Sequence, residues 1–442
     1  MEILEKARSM LGKYPICDHC LGRQFALLGY GLDDKKRGDV MKTLLTMEAN
    51  KLALVGEKDG SLLLETLATN GSFDMAAKVL AKMGRMVGKK RRCHLCEGRF
   101  DQLPALVSRS VEKLEDYDYA TFLVGINLPN RVEEKEDEFK SEFEVEHSEG
   151  MRNGFSREIG KEISRITEKM VEYKTPDMVV IVIPFSDEVA LQANPLYVAG
   201  RYRKLVRGIP QSRWFCPKCR SKGCVECNWT GKMYPESVEE LISAPLLEET
   251  GGEETTLHAA GREDVDARML GRGRPFVIEI KKPRKRLVDL KALTKAINKQ
   301  AEKKVKVLSL HFADKDTVRR LKKGEGASKI YRVIVEFNRV VPDEKLRILE
   351  QTLTNAIIRQ QTPLRVLHRR ANRIREKYIY EAKIERLKPN RMEMRIHCQG
   401  GLYIKELITG DKGRTDPNVA ALIGAKAQPM NLDVLNIIPR EG

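Results

Sequence analysis

Nine cysteines carry the most legible chemistry in this chain, because eight of them fall in four Cys-x-x-Cys pairs. Four thiolates select a soft or borderline ion and favour tetrahedral zinc. Cys216, Cys219, Cys224 and Cys227 form two knuckles four residues apart, with Gly223 and Gly231 free to make tight turns. Cys17 and Cys20 form a knuckle far in sequence from that of Cys93 and Cys96. Those two either close a long loop around a second four-cysteine site or are unrelated redox or buried pairs. Zinc is the expectation for both sets, in a structural role: four protein thiolates leave no open position for water or substrate. The ninth, Cys398, ends the strand-like run Met392 to Cys398 and is expected in the core.

A second constellation lies in His258 to Pro283, HAAGREDVDARMLGRGRPFVIEIKKP. A Gly-Arg turn places Asp264 and Asp266 in a loop with Arg262, Arg268, Arg272 and Arg274 around them. The apolar run Phe276 to Ile280 follows and reads as a buried strand. A carboxylate among arginines, braced by a core strand, suits anionic catalysis on a polyanion. It also suits a surface turn whose aspartates neutralise nearby arginines. Upstream, Gly200 to Trp214 holds Arg201, Arg203, Lys204, Arg207 and Arg213 interleaved with Tyr202 and Trp214. That mixture fits phosphate contact and base stacking, or a solvated linker.

The elements that must position these groups follow from periodicity. Residues 1–100 read as a helical, zinc-stapled region, with helices near Asp39 to Ala53 and Asp74 to Met83. Residues 101–200 read as an α/β unit with strands at Tyr119 to Ile126 and Met178 to Ile183. A helix capped by Ser156 is expected there, with Ile159, Ile163, Ile166 and Met170 on one face. The acidic run Glu133 to Glu149 reads as a solvated hairpin or loop. Residues 201–234 are a basic connection and zinc knuckle. Residues 235–442 form the last domain. It should hold a helix with Leu287, Leu290, Leu293 and Ile297 on one face and a strand at Lys329 to Phe337. A helix over Asp343 to Arg359 should turn Leu346, Leu349, Leu353 and Ile357 inward. Strands Lys377 to Leu387 and Arg391 to Cys398 should pair, with Tyr378, Tyr380, Ala382 and Ile384 on one face, before a helix at Gly401 to Ile408. Paired strands covered by helices on one side make the fold α+β and multidomain.

The chain has 442 residues, 41% hydrophobic and 32% charged, and a net charge of +17. Those values describe a folded protein with an anionic partner, nucleic acid before membrane. No apolar run approaches the length of a membrane span, and MEILEKARSM has no signal core. A cytoplasmic monomer is expected. Gly271-Arg272-Gly273 precedes Pro275 and a strand, so it is no dinucleotide motif.

Five separate stretches occur together and in order: CDHCLGRQF (Cys17 to Phe25), CHLCEGRF (Cys93 to Phe100), GRYRKLVRGIPQSRW (Gly200 to Trp214), YPESVEELI (Tyr234 to Ile242) and GGLYIKELITGDKGRTDPN (Gly400 to Asn418). With GREDVDARMLG, they resemble the archaeal and eukaryotic tRNA pseudouridine synthase family with an N-terminal THUMP-containing region, over nearly the whole chain. The resemblance implies that residues 101–200 are a THUMP-like RNA-binding region and residues 235–442 a pseudouridine synthase domain. It implies isomerisation of uridine in the T-arm of tRNA, at position 55 and also 54, with no organic cofactor. Asp264 fills the Arg-x-Asp position of the required carboxylate, with Asp266 as the alternative. Lys405 matches the basic residue that pairs with that carboxylate, and Tyr331 the tyrosine beneath the uracil. Tyr403, Arg262 and Arg268 are expected to contact substrate alongside Tyr331. Two other readings compete. One is a THUMP-containing RNA methyltransferase, suggested by Asn194-Pro195-Leu196-Tyr197. The other is a non-catalytic zinc RNA-binding protein.

Overall fold

The computed structural model describes residues 2–323 and 327–438. The chain divides after Asn194 into two compact units.

The first unit opens with five helices, Ile3–Lys13, Asp18–Arg23, Asp34–Leu54, Lys58–Thr69 and Asp74–Lys82. A sheet of four strands follows: β1 (Thr121–Ile126), β2 (Met170–Val171), β3 (Met178–Ile183) and β4 (Glu188–Ala193), in the order β2-β1-β3-β4. β1 pairs in parallel with β2 and β3, while β4 runs antiparallel to β3. The long link from β1 to β3 contains the helices Asn130–Glu142 and Met151–Thr167, as a parallel crossover requires. One core joins the helical and sheet parts, running from Ala7 and Leu21 through Phe100 to Phe122 and Val180. The expected division between residues 1–100 and 101–200 is therefore not a boundary between separate cores.

Two local expectations fail here. Ser156 lies inside its helix, not at the cap, and its hydroxyl donates to the Val124 carbonyl at 2.7 Å. Ile159 and Ile163 are buried, but Ile166 is exposed and Met170 has left the helix for β2. The acidic run is mostly the helix Asn130–Glu142, and Glu136 turns inward to a fully buried ion pair with Arg23. Periodicity counts apolar residues only, so a buried charge pair is invisible to it.

The second unit is built on a ten-stranded sheet. Its strands are β5 (Leu196–Lys204), β6 (Glu254–Ala259), β7 (Ala267–Lys281), β8 (Val305–Ala313), β9 (Ser328–Phe337), β10 (Ile357–Gln361), β11 (Ile374–Lys388), β12 (Arg391–Gln399), β13 (Thr415–Asp416) and β14 (Ala427–Ile438). The order is β13-β10-β11-β12-β9-β14-β7-β5-β8, with β6 pairing on β7. All pairs are antiparallel except β14 with β7, which meet over only three residue pairs. β5 lies between β7 and β8, so residues 196–204 belong to this sheet and not to the preceding region or to a linker.

The main core lies on one face of the sheet, under the helices Val238–Thr250, Leu290–Gln300 and Asp343–Leu353. Ala199 and Val277 alternate with the core residues Val198 and Ile278, so they point to the opposite face. There they pack with Val318 of the helix Lys315–Lys323. Helices thus flank both faces, not one.

Leu287 precedes its expected helix and is exposed, while Leu293 and Ile297 are buried. The helix from Asp343 ends at Leu353, because Asn355 turns left-handed at φ 59° and Ile357 begins β10. β11 and β12 pair as expected, but a bulge between Ile379 and Glu381 changes which face the residues occupy. Ile379 and Ala382 are buried and Tyr380 is exposed.

Candidate active site and metal centres

The loop between β6 and β7 carries Asp264, and its shape is held from beneath. Glu263 is buried and accepts from the Tyr202 hydroxyl at 2.9 Å and from Arg274 Nε at 2.8 Å. Gln211 Nε2 donates to the same hydroxyl at 2.7 Å and to the Gly261 carbonyl at 3.1 Å. The fully buried Lys204 donates to the carbonyls of Asp264, Val265 and Ile209 at 3.0, 3.0 and 2.8 Å. Burial pushes its ammonium down to about 8, against the pull of Glu263. A loop with carbonyls and a carboxylate anchored this way presents Asp264 with little backbone freedom.

The Asp264 carboxylate faces two cations from distant parts of the chain. Arg365 Nη2 lies 3.2 Å from its Oδ2, and Lys405 Nζ 3.4 Å from the same oxygen. Lys405 is closer to Asp266, at 2.6 and 2.7 Å from its two oxygens. Burial alone would raise the Asp266 carboxyl, but the Lys405 ammonium outweighs it and holds the group below its usual range. Arg365 is aimed in turn by Glu406, whose Oε1 accepts from its Nε at 2.7 Å. Lys405 follows Tyr403, whose backbone is gripped by the buried Gln360: its amide oxygen accepts from Tyr403 N at 2.9 Å and its amide nitrogen donates to Tyr403 O at 3.0 Å.

These groups open on a cavity of about 930 Å³ lined by Arg262, Asp264, Tyr331, Arg365, Tyr403 and Lys405, among others. Tyr331 is nearly buried on β9, and desolvation raises its phenol, so it enters the cavity neutral. The arrangement supplies a carboxylate beside two cations, and an apolar ring with a hydroxyl, in a space large enough for an extruded nucleotide.

Most residues singled out in the sequence meet here. Asp264, Tyr331, Lys405, Tyr403 and Arg262 all line the cavity, and the Arg262 guanidinium lies 4.9 Å from the Trp214 ring centre. Arg268 does not. It forms a bidentate pair with Asp433 at 2.9 Å for both bonds, beside Arg207 and Arg332. The arginines adjacent in sequence do not surround the two aspartates as expected: Arg274 is committed to Glu263, and the facing cations are Arg365 and Lys405. In the stretch Gly200 to Trp214, Tyr202 and Lys204 are buried, and Arg201 donates to the carbonyls of Arg272 and Gly273. Those three hold the sheet and the loop. Arg365, Glu406, Gln360 and Gln211 were missed. Gln211 and Glu406 lie inside the stretches Gly200 to Trp214 and Gly400 to Asn418, but their side chains carry no local pattern that assigns them a task, and Arg365 and Gln360 lie outside any such stretch. Asn194-Pro195-Leu196-Tyr197, which suggested a methyltransferase, leads into β5, and Tyr197 bonds to Glu279 at 3.4 Å.

Each set of four cysteines converges. Within each set all sulfurs lie within 4.8 Å of one another. Contacts of 3.6 Å (Cys17 to Cys96), 3.9 Å (Cys216 to Cys224), 3.7 Å (Cys219 to Cys227) and 3.6 Å (Cys224 to Cys227) match the spacing of about 3.8 Å that a tetrahedron with Zn–S near 2.3 Å demands. A disulfide needs about 2 Å, and all these cysteines are free. The amides of Cys224 and Gly231 donate to Cys227 Sγ at 3.2 Å each, as amides do around metal-bound thiolates. The donor set fits a structural metal at both places. Cys398 is buried in β12 and belongs to neither.

Comparison with known proteins agrees with this geometry. The family described as Pus10, C-terminal matches residues 197–438, and the archaeal Pus10 THUMP domain matches residues 106–182. The tRNA pseudouridine synthase Pus10 of Methanocaldococcus jannaschii is 42% identical over 99% of this chain and 94% of its own length. Those of Methanothrix thermoacetophila and Pyrococcus furiosus are 38% and 37% identical, each over 99% of this chain and over 94% and 98% of their own lengths. With both units matched and the carboxylate, tyrosine and lysine gathered in one cavity, the chain belongs to the Pus10 family of tRNA pseudouridine synthases.

Proposed function

We propose that this protein isomerises uridine to pseudouridine in the T-arm of tRNA, at position 55 and at position 54, with Asp264 as the reacting carboxylate. The observation that carries the reading is the Asp264 carboxylate held between Arg365 and Lys405 at the mouth of a cavity walled by Tyr331. In the reaction the C1′–N1 bond breaks, the base turns and a C1′–C5 bond forms. A carboxylate beside the ribose acts in its charged form whether it attacks the sugar or takes a sugar proton. Arg365 and Lys405 place two positive charges beside it. Tyr331 packs under the uracil and assists the late loss of the C5 proton. Tyr403 and Arg262 lie where the flipped nucleotide enters, and the target base leaves its stack to reach them. The THUMP region binds the tRNA, whose folded shape is read mainly through its backbone.

Both four-cysteine sets hold zinc in this reading, and neither ion takes part in a chemical step. Cysteines kept as thiolates for zinc and not joined in disulfides suit a reducing compartment, which supports a cytoplasmic location.

The test is Asp264→Asn with unmodified tRNA and no added cofactor, mapping pseudouridine at nucleotide resolution. Product at 54 and 55 should vanish while tRNA affinity stays within about threefold, because affinity rests on many phosphate contacts. Full activity in Asp264→Asn, or loss confined to Asp266→Asn, would move the assignment to Asp266. Pseudouridine elsewhere in the tRNA would remove the T-arm reading.

A further inference from the structure

Lys329 is a cation of the cavity wall that the arrangement above leaves without a task. It precedes Tyr331 by two positions on β9, so both side chains leave the same face of the strand. Both line the cavity. Its ammonium reaches the foot of the aspartate loop: a Cβ added to Gly261, which has φ +78°, would lie 3.2 Å from Lys329 Nζ and 3.2 Å from Arg274 Nη1.

Each neighbouring charge is already engaged. Arg274 on β7 is tied to Glu263, and Glu263 also accepts from Tyr202. Cys398, opposite Lys329 on β12, is a thiol that burial pushes up to about 12. Tyr331 is likewise neutral, and the β14 neighbour Ile437 is apolar. Asp264 faces Arg365 and Lys405. Among the described residues the Lys329 side chain donates no hydrogen bond and forms no ion pair. Burial and the adjacent Arg274 push its ammonium down to about 8. That ammonium opens on the cavity, where a substrate acceptor entering would supply it with a partner.

We infer that Lys329 is a further catalytic residue, whose ammonium donates to a carbonyl oxygen of the uracil and holds the detached base as an anion. When C1′–N1 breaks, the bonding pair leaves with the base and its charge spreads to O2 and O4. The base turns, C5 uses that pair to form the bond to C1′, C5 loses its proton and N1 gains one. The sequence balances without any redox partner. It is the same whether Asp264 attacks the sugar or takes a proton, since the base departs with its pair in both. A fixed cation facing the developing anion lowers the barrier, whereas it would gain less from the neutral nucleotide. The inference rests on the cavity being the reaction site.

The experiment compares Lys329→Met, Lys329→Arg and Asp264→Asn with the unaltered protein on unmodified tRNA. Single-turnover rates, affinity at several salt concentrations and a pH profile are measured. Lys329→Met should react about 100-fold or more slowly, with affinity and its salt slope unchanged. Lys329→Arg should restore part of the rate. In the unaltered protein kcat/KM, which reports groups of the free enzyme, should decline as the pH rises through about 8 and Lys329 loses its proton. Lys329→Arg should lack that decline. A normal rate in Lys329→Met overturns the inference. A shallower salt slope with full rate at saturating tRNA overturns it too, by making Lys329 a phosphate contact. If Lys329→Met does not fold, the pH profile of Lys329→Arg decides: a decline like that of the unaltered protein overturns the inference. An active Asp264→Asn removes the site reading instead, whatever Lys329 does.

Discussion

Lys405 serves two carboxylates with one ammonium, and it is nearer to Asp266 than to Asp264. Its removal should act on both. We expect Lys405→Met to lower turnover about 10- to 100-fold, with tRNA affinity changed by no more than a few fold, because its partners are in the cavity and not on a phosphate. The Asp266 carboxyl, which burial would raise and which that ammonium does most to hold low, should then titrate at a higher pH. Carboxylate chemical shifts followed through an acid titration would show it. Normal turnover with weak binding would instead assign Lys405 to the RNA backbone. Short motifs singled out Asp264, Tyr331 and Lys405, and all three line the cavity. Arg365 and Glu406 were not singled out, because their role comes from a meeting of segments a hundred residues apart from the aspartate loop, which no local pattern encodes.

At the scale of elements, the join between β7 and β14 rests on three residue pairs, and Asp433 strengthens it. Its carboxylate is buried and faces Arg268 of β7, Arg332 of β9 and Arg207. Burial would raise it, but the three guanidinium groups bring it down to about 2. A depressed carboxyl contributes stability that is full above its unfolded value near 4 and is lost as the pH falls toward about 2. We expect Asp433→Asn to cost about 3 kcal/mol, read as a lower melting temperature at pH 7. The deficit should shrink on acidification below about pH 4. Equal melting temperatures at pH 7 would show that the arginines are solvated well enough alone. Strands and amphipathic helices were readable where the apolar pattern is unbroken, as a continuous run at Met178–Ile183 and as one apolar face at Ser328–Phe337. The pattern misled where a single backbone event intervened: the left-handed Asn355 that ends a helix, and the bulge after Ile379. Arg268 was misassigned for a related reason, since its partner lies 165 residues away on a strand whose neighbour could not be foreseen.

For the whole molecule, the net charge of +17 implies that tRNA binding releases counterions. Affinity should fall steeply and linearly on a logarithmic scale as salt rises. A flat response would mean that few phosphates are touched. Metal content is a second property of the intact chain. We expect two zinc ions per chain by elemental analysis. Cys216→Ser should lower soluble yield and melting temperature, while the folded fraction keeps a near-normal single-turnover rate. A chain with no zinc, or an inactive but fully stable Cys216→Ser, would contradict a purely structural role. In the first unit one core runs through the helices and the sheet, so replacing Cys17 or Cys93 should loosen the THUMP sheet as well.

The knuckle of Cys216 to Cys227 leaves and re-enters the second unit through a narrow neck. Phe215 faces Lys232 across an antiparallel bridge, Cys216 N donates to Gly231 O at 2.8 Å, and Met233 N donates to Trp214 O at 2.9 Å. Two chain ends so close can be closed by a two-residue turn. The knuckle is therefore a cassette: replacing residues 216–231 with Asn-Gly should leave a folded sheet that lacks one four-cysteine set, and the same neck should accept a foreign hairpin or reporter domain.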